Sequence, residues 1–587
     1  MGGRGARVST EGEVVTMYQR QTSRDRRSLL VAVFLAIGIV GYFGFRSAPE
    51  PPARGACVTL NVAASQEKSA LLTELATTFN KSGVTSSGEC INVKVTQKAS
   101  GAAETALAQG WDDKADGVRP DVWSPAATSW VQLLRQHRAS RDFGSGLAPE
   151  NPPSLLQSPL VIAMPRPMAE ALGWPQREIG WADVLQLARD RAGWGSRGHP
   201  EWGEFRLGKT NPNISTSGLH ALIGAYFAAT QRSTDLTEAD IADARVVDFV
   251  KGVESAVVHY GDTVSTFVRH LKAADDRGAA LSYVSAIAVE EKQVWDYNRS
   301  EPRPSMPLVA VYPKEGTLVA DHPYAILNAP WVDDGKRAAA NAFLEFLQAP
   351  PAQRSFLAAG FRDAHGGPGA EITTSLGLLP EGPRVVIRPP SPAVLELIQR
   401  SWNDVRKRAR VLLVLDTSGS MSGTKLDLMK RASIDALDQF ADDDEVGLWS
   451  FASRETELVP IGLVSRQRDQ LKTKIAGLVA SGGTALYSTA RVSATYMRGA
   501  IDPTRINAVL LLTDGRNEDG DRDLDQLLRD LQTEDEQRVV RVFTIGYGAD
   551  ADRETLKKIA DASRANFYDA TNPATINKVF TDVVSNF

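Results

Sequence analysis

From residue 58 onward the apolar positions of the chain alternate between two periods. Short aliphatic runs of the kind that form buried strands alternate with stretches in which apolar residues return every three or four positions, the spacing of a helix with one buried face. The first half predicts strands over residues 58–63, 91–96, 120–124, 155–164 and 203–210. Between and after them it predicts helices over 66–80, 102–109 and 179–191, and one opening at 215 and running to about 230. Pro389-Pro390-Ser391-Pro392 then marks a boundary. Residues 393–408 have helical spacing and a basic end, which predicts a connecting helix packed on the domain that follows. That domain predicts strands over 411–415, 445–451, 507–512, 539–545 and 566–569, with helices over 425–440, 466–478, 485–497, 523–531, 552–560 and 573–584. Strand and helix in steady alternation predict the α/β class, with a doubly wound, Rossmann-like sheet in the C-terminal domain.

Ahead of residue 58 the pattern is different. Residues 1–28 hold Arg4, Arg7, Arg20, Arg24, Arg26 and Arg27 against Glu11, Glu13 and Asp25, without apolar periodicity, and predict a basic cytoplasmic tail. Residues 29–45 are a charge-free apolar run at the short end of what spans a bilayer. Arginines precede it and few follow, which sets the tail inside and the bulk of the chain outside. A cleaved signal peptide would need small residues at the first and third positions before the cut. Cutting after Ala48, Ala53 or Ala56 puts Arg46, Pro51 or Arg54 at the third position, so an uncleaved single-pass membrane anchor is expected. Residues 46–56 are a proline-bearing linker. Cys57 follows, but Ala53-Arg54-Gly55-Ala56 does not resemble a lipobox. Cys57 and Cys90 are the two cysteines of the chain, both on the exported side where disulfides persist. A Cys57–Cys90 bridge is expected, with two buried thiols as the alternative.

The most informative chemistry follows the aliphatic run Val411 to Leu415. Asp416-Thr417-Ser418-Gly419-Ser420 puts a carboxylate and two alternating hydroxyls at the C-terminal end of a buried strand, where open α/β sheets hold their ligands. Ser481-Gly482-Gly483-Thr484 offers a further hydroxyl on a glycine-bearing loop, and a second aliphatic strand ends in Thr513-Asp514-Gly515. Oxygen donors in this number suit a hard divalent cation. D-x-S-x-S, then T, then D, each on a strand-end loop, resembles the von Willebrand factor A domain and its metal-ion-dependent adhesion site (MIDAS), over residues 409–587. The resemblance implies that Asp416, Ser418, Ser420 and Thr484 hold the ion directly or through water, with Asp514 behind a water. It implies Mg²⁺ first, with Mn²⁺ or Ca²⁺ as alternatives, and an open coordination position that accepts a carboxylate from a protein partner.

A second cluster lies earlier. Ser215-Thr216-Ser217-Gly218 opens a helix, so hydroxyls and backbone N–H groups gather at its positive end, an arrangement that either caps the helix or cradles a polar ligand. The phrases SPLVIAMP, ALGWP, GKTNPN followed by STSGL, VESAVVHYGD, SYVSAIAVEEK and YPKEGTLVADHPYAIL resemble a bacterial extracellular solute-binding protein of the two-lobed type, over residues 57–385. That resemblance implies two α/β lobes joined by crossing strands, with a small-molecule solute in the cleft. Ser65, Ser124, Ser215, Thr216, Ser217 and Ser285 are the cleft candidates. Residues 386–408 then form the linker and connecting helix.

Composition excludes more than it selects. At 587 residues the chain exceeds a single core, and a net charge of −5 shows none of the basic excess of a nucleic-acid binder. Gly203 to Thr210 satisfies G-x-x-x-x-G-K-T but reads as a strand followed by Asn211-Pro212 rather than a loop opening a helix. Ser65-Gln66-Glu67-Lys68 and Ser422-Gly423-Thr424-Lys425 both fit S-x-x-K without its companion motifs. Asp519, Asp521, Asp523 and Asp525 alternate like a calcium loop, but Leu524 stands where glycine is required. The histidines include no H-E-x-x-H pair. No enzyme is expected. The function expected is cell-surface recognition, with metal-dependent partner binding coupled to a solute-binding module. The alternative is a transport receptor that uses its C-terminal domain for docking.

Overall fold

The computed structural model describes residues 57–587 except 87, 233, 262, 534–537 and 585. The basic tail, the apolar run at 29–45 and the linker lie outside the described residues, among which no helix is long and apolar enough to cross a membrane. Residues Val58–Phe587 form one compact unit. Cys57 and Cys90 are both disulfide-bonded.

Three sheets carry the unit. In the first lobe β1 (Val58–Ala64) lies parallel to β3 (Glu89–Gln97) and to β4 (Val122–Ser124), with β2 (Thr85–Ser86) on the outer edge of β3. The second lobe is built on β5 (Ser158–Pro165), β6 (Leu207–Thr210), β7 (Val257–Gly261), β8 (Ala286–Glu290), β9 (Leu308–Val311) and β10 (Val319–Ala320), in the order β10-β5-β8-β6-β7 with β9 also on β5. The chain enters this lobe between β4 and β5 and returns through β11 (Ala325–Ile326), which pairs antiparallel with β4. All eight residues of β5 are buried, the composition of a strand covered on both faces. Gly203 begins no strand: it has φ +72°, the left-handed region, after a 3-10 turn at Pro200–Trp202, so β6 is restricted to Leu207–Thr210.

The third sheet has the order β14-β13-β12-β15-β16-β17, made by β12 (Ala409–Asp416), β13 (Glu445–Phe451), β14 (Glu455–Leu463), β15 (Ile506–Thr513), β16 (Arg541–Tyr547) and β17 (Phe567–Ala570). All pairings are parallel except β13 with β14. The strand order reverses between β12 and β15, both almost wholly aliphatic and buried, and that reversal opens a crevice beyond their carboxyl ends. The edge strand β14 escapes the hydrophobic pattern because only Val459 of its residues is buried.

The connecting helix, Pro392–Val405, is capped by Ser391 Oγ accepting from Val394 N at 3.4 Å. It departs from the expectation that it would pack on the C-terminal domain. Its apolar face (Val394, Leu395, Ile398, Trp402, Val405) is buried against Thr128–Ala139 of the first lobe and Thr216–Thr230, Glu238–Ala242 and Ala244–Ser255 of the second. Gln136 Nε2 donates to Glu396 Oε2 at 3.2 Å on one side, and the Tyr226 and Ser401 hydroxyls meet at 2.7 Å on the other. The helix is therefore a strap across both lobes, and Arg406 just beyond it pairs with the buried Asp444 of the third domain.

Candidate functional site

The C-terminal ends of β12 and β15 build a polar centre from residues that the aliphatic strands place. Register pairs Leu415 with Leu512, so Asp416 and Thr513 emerge side by side, and Thr513 Oγ1 donates to Asp416 Oδ2 at 2.5 Å. Asp416 Oδ1 accepts from Ser418 N at 2.7 Å, which fixes the turn that aims the two following hydroxyls. Ser418 Oγ and Ser420 Oγ are 3.0 Å apart, and Ser420 Oγ donates to Asp514 Oδ1 at 2.7 Å. The other Asp514 oxygen accepts from Lys425 Nζ at 2.6 Å.

Backbone hydrogen bonds tie the glycine-bearing loop to the same centre, Gly419 N to Gly482 O at 2.9 Å and Ser481 N to Thr417 O at 2.8 Å. Gly482, at φ +82°, makes the turn. Thr484 Oγ1 would stand 2.9 Å from a Cβ built on Gly515, so Thr484 abuts the residue next to Asp514 and a glycine is needed there. Asp416, Ser418, Thr484 and Asp514 are buried, whereas Ser420 is exposed and marks the open side. Burial, with the like charge of Asp514 adding to it, pushes the Asp416 carboxyl up to about 6 against the hydrogen bonds from Thr513 and Ser418. Among the described residues no three His, Cys, Asp or Glu side chains group as metal ligands. An ion held here would have two carboxylates and otherwise hydroxyl and water oxygens, a donor set that fits a hard cation such as Mg²⁺ and not zinc.

At the cleft between the lobes, Ser65, Ser215 and Thr216 line one cavity, together with Glu67. The space left is about 10 Å³, about one water molecule. The lobes touch directly: Gly101 N donates to Ile214 O at 3.0 Å, and a Cβ on Gly101 would fall 2.0 Å from Asn213 O. Trp130 Nε1 of the first lobe donates to Thr216 Oγ1 at 2.8 Å. The remaining candidates do not line this cavity. Ser124 Oγ donates to Pro323 O at 2.7 Å and fastens the crossing strand. Ser285 Oγ accepts from Trp194 Nε1 at 2.9 Å and Arg206 N at 3.1 Å inside the second lobe. Ser217 is buried, and its Oγ has no hydrogen-bond partner among the described residues.

A buried charge network behind the cleft escaped the sequence reading. Lys68 Nζ donates to Ser65 Oγ at 2.9 Å and Pro125 O at 2.8 Å and lies 3.2 Å from His322 Nδ1. His322 Nε2 is 3.3 Å from Glu290 Oε2, so the network runs from the first lobe through the returning strand into the second. Burial brings Lys68 down to about 7 although Glu67, Glu290 and Asp321 favour its charge, and burial holds Glu290 well above the usual carboxylate range. The one advance signal was the S-x-x-K spacing, which puts Lys68 one helical turn from Ser65. The other lysine of that spacing, Lys425, is the one on Asp514.

Residues 60–362 match the family model described as bacterial extracellular solute-binding protein, and residues 411–582 match the von Willebrand factor type A domain. An uncharacterized protein of Mycobacterium tuberculosis is 24% identical over 509 residues, 84% of this chain and 71% of that protein. Among solved structures, a periplasmic thiamin binding protein at 10% identity covers 60% of this chain and 99% of its own, with a TM-score of 0.42. A von Willebrand factor type A protein from Catenulispora acidiphila, at 23% identity, covers 31% of this chain and 42% of its own, with a TM-score of 0.28.

Proposed function

This chain belongs to the bacterial extracellular solute-binding protein family and carries a von Willebrand factor type A domain behind it, and we propose that it works as a membrane-anchored recognition protein on the outer side of the cell membrane. In this reading the C-terminal domain captures a protein partner through a divalent ion, and the two-lobed module holds a small polar solute. The observation that carries it is the continuous run of oxygen donors from Asp416 through Ser418 and Ser420 to Asp514, joined by Thr484, at the reversal point of the third sheet. When bound there, the ion supplies an electrophilic position to which a partner carboxylate can coordinate. The protein's part is to hold its donors in place before the ion arrives: Thr513 and the Ser418 backbone orient Asp416, while Lys425 neutralises Asp514. The exposed Ser420 side leaves room for the partner.

For the solute, a buried oxygen of Glu67 that has no hydrogen-bond partner among the described residues belongs to a side chain lining the same cavity as the start of the Thr216–Thr230 helix. The pair favours a molecule that brings a hydrogen-bond donor to one end and acceptor oxygens to the other. With about 10 Å³ free, such a solute enters only when the lobes part. The strap helix supports a coupling between the two halves, since it contacts both lobes and leads directly into β12. The work proposed is binding rather than catalysis.

The test of the recognition role is retention of partners from the exported fraction of the producing cell on immobilised protein. Partners should be held in Mg²⁺, released by chelator and absent from an Asp416→Ala column. Retention indifferent to chelator and to the substitution would contradict it.

A further inference from the structure

A second polar cavity, of about 230 Å³, lies where the second lobe meets the C-terminal domain. The lobe contributes Arg189, Glu204 and Arg206, and the domain with its leading segment contributes Lys407, Arg505 and Arg541. Arg541 is the first residue of β16, at the amino-terminal edge of the sheet, the opposite end from the Asp416 centre.

Most charges here are matched. Arg189 pairs with Asp248 at 2.7 Å, Arg505 lies 3.4 Å from Asp502 and 3.7 Å from Glu445, and Arg206 donates to Ser282 O at 2.8 Å. Two are not. Arg541 is 4% exposed, yet among the described residues its side chain has no carboxylate or hydrogen-bond acceptor, and its enclosed Nε is unsatisfied. The Lys407 ammonium likewise has no ion pair or hydrogen bond among the described residues, the residue's bonds being from its backbone N to the Tyr260 hydroxyl at 3.0 Å and from Arg406 Nη1 to its carbonyl at 3.3 Å. Burial, and next the repulsion of Arg541, bring Lys407 down to about 8, and the charges of Glu204 and Asp502 offset this only in part. The field of Arg541 is also felt at His259 and His270. The enclosed Arg541 and the half-buried Lys407 repel each other across a cavity whose lining cations outnumber the Asp190 and Glu204 carboxylates, a costly arrangement unless an anion completes it.

We infer that this seam is a binding site for a small polyvalent oxyanion of the phosphate class, free or as a small ester, gripped by the Arg541 guanidinium and the Lys407 ammonium. A guanidinium presents parallel donors to two oxygens of such an ion, and an ammonium adds a point charge to a third. The cavity is too small for a nucleic acid or a folded partner. Its walls come from both the solute-binding module and the C-terminal domain, while both gripping cations belong to the C-terminal domain and its leading segment.

The test is calorimetric titration of the full-length chain in detergent with inorganic phosphate and with glycerol 3-phosphate, at constant ionic strength with chloride as the balancing anion. Saturable one-to-one binding is expected from at least one of them, the tighter of the two identifying the source. Lys407→Gln and Arg541→Met should each weaken it about tenfold or more. In phosphate-free buffer, Arg541→Met should unfold no earlier than the wild type, because it removes an unmatched buried charge. Absence of saturable binding of either compound to the wild type, or binding that survives both substitutions, would overturn the proposal.

Discussion

Replacing Lys425 with glutamine tests the proposed ion site from two sides at once. Lys425 Nζ sits 2.6 Å from Asp514 Oδ2, with the aspartate fully buried and the lysine about one-quarter exposed. Without the ammonium, one oxygen of a buried carboxylate loses its partner while the other keeps Ser420. Leaving such an acceptor unmatched costs about 1–3 kcal/mol, and partial exposure of the lysine places the figure near the middle, about 2 kcal/mol. That should lower the unfolding temperature in chelator by about 4–8 °C. A divalent cation restores the missing positive charge, so most of the deficit vanishes on binding and reappears as affinity. Since 1.4 kcal/mol corresponds to about tenfold, Lys425→Gln should bind Mg²⁺ about tenfold more tightly than the wild type. Titration calorimetry beside thermal unfolding in chelator reads both halves. A variant that unfolds at the wild-type temperature in chelator and binds Mg²⁺ more weakly would refute the idea that Lys425 holds Asp514 in the ion's absence.

Further outcomes follow from the solute-binding module. Gly101→Val should drive the lobes apart, because even its Cβ would fall 2.0 Å from Asn213 O. The strain of about 1–3 kcal/mol should appear in small-angle scattering as a larger radius of gyration, and an unchanged profile would contradict it. Ser285→Ala removes the acceptor of the buried Trp194 indole, so its urea midpoint should drop by the equivalent of about 1–3 kcal/mol, with solute affinity untouched. A selective loss of solute binding would instead return Ser285 to the cleft. Burial holds the His220 imidazole down to about 3. Between about pH 6.5 and 3 the unfolded chain therefore binds a proton that the folded protein does not, and stability falls with pH by about 1.4 kcal/mol per unit, full stability lying above that window. His220→Gln should remove one proton's share of this slope in denaturant midpoints measured from pH 7 to 5, and an identical slope would count against it.

The placing of the polar centre at Asp416 was far more legible in the sequence than that of the cleft, for a physical reason. Asp416 ends an uninterrupted aliphatic run, and a strand buried on both faces leaves its C-terminal residue little choice of position. The spacing D-x-S-x-S then fixes which hydroxyls share the loop. A serine after a strand carries no such constraint: Ser65 lines the cleft, while Ser124 and Ser285 have the same sequence character and spend their hydroxyls on backbone and indole. The Lys68, His322 and Glu290 network joins Lys68 to His322, 254 residues further along the chain, and through it to Glu290, and only the tertiary fold brings them together. The strap helix shows a third case, since its apolar stripe announces that a face is buried but not that both lobes bury it. Strand β14 was hidden because an exposed edge does not need the alternation that marks buried strands.

The central claim, that Asp416, Ser418, Ser420, Thr484 and Asp514 hold a divalent ion, is tested most directly by thermal unfolding of residues 57–587 in millimolar Mg²⁺ and in chelator. An Asp416→Ala, Asp514→Ala double variant is run beside the wild type. With a Kd of about 0.1 mM, an ion concentration of about 1 mM adds roughly 1.4 kcal/mol to the native state. The account predicts that the wild type gains a few degrees in its C-terminal transition and that the double variant gains none. Equal unfolding with and without the ion in both proteins would contradict it.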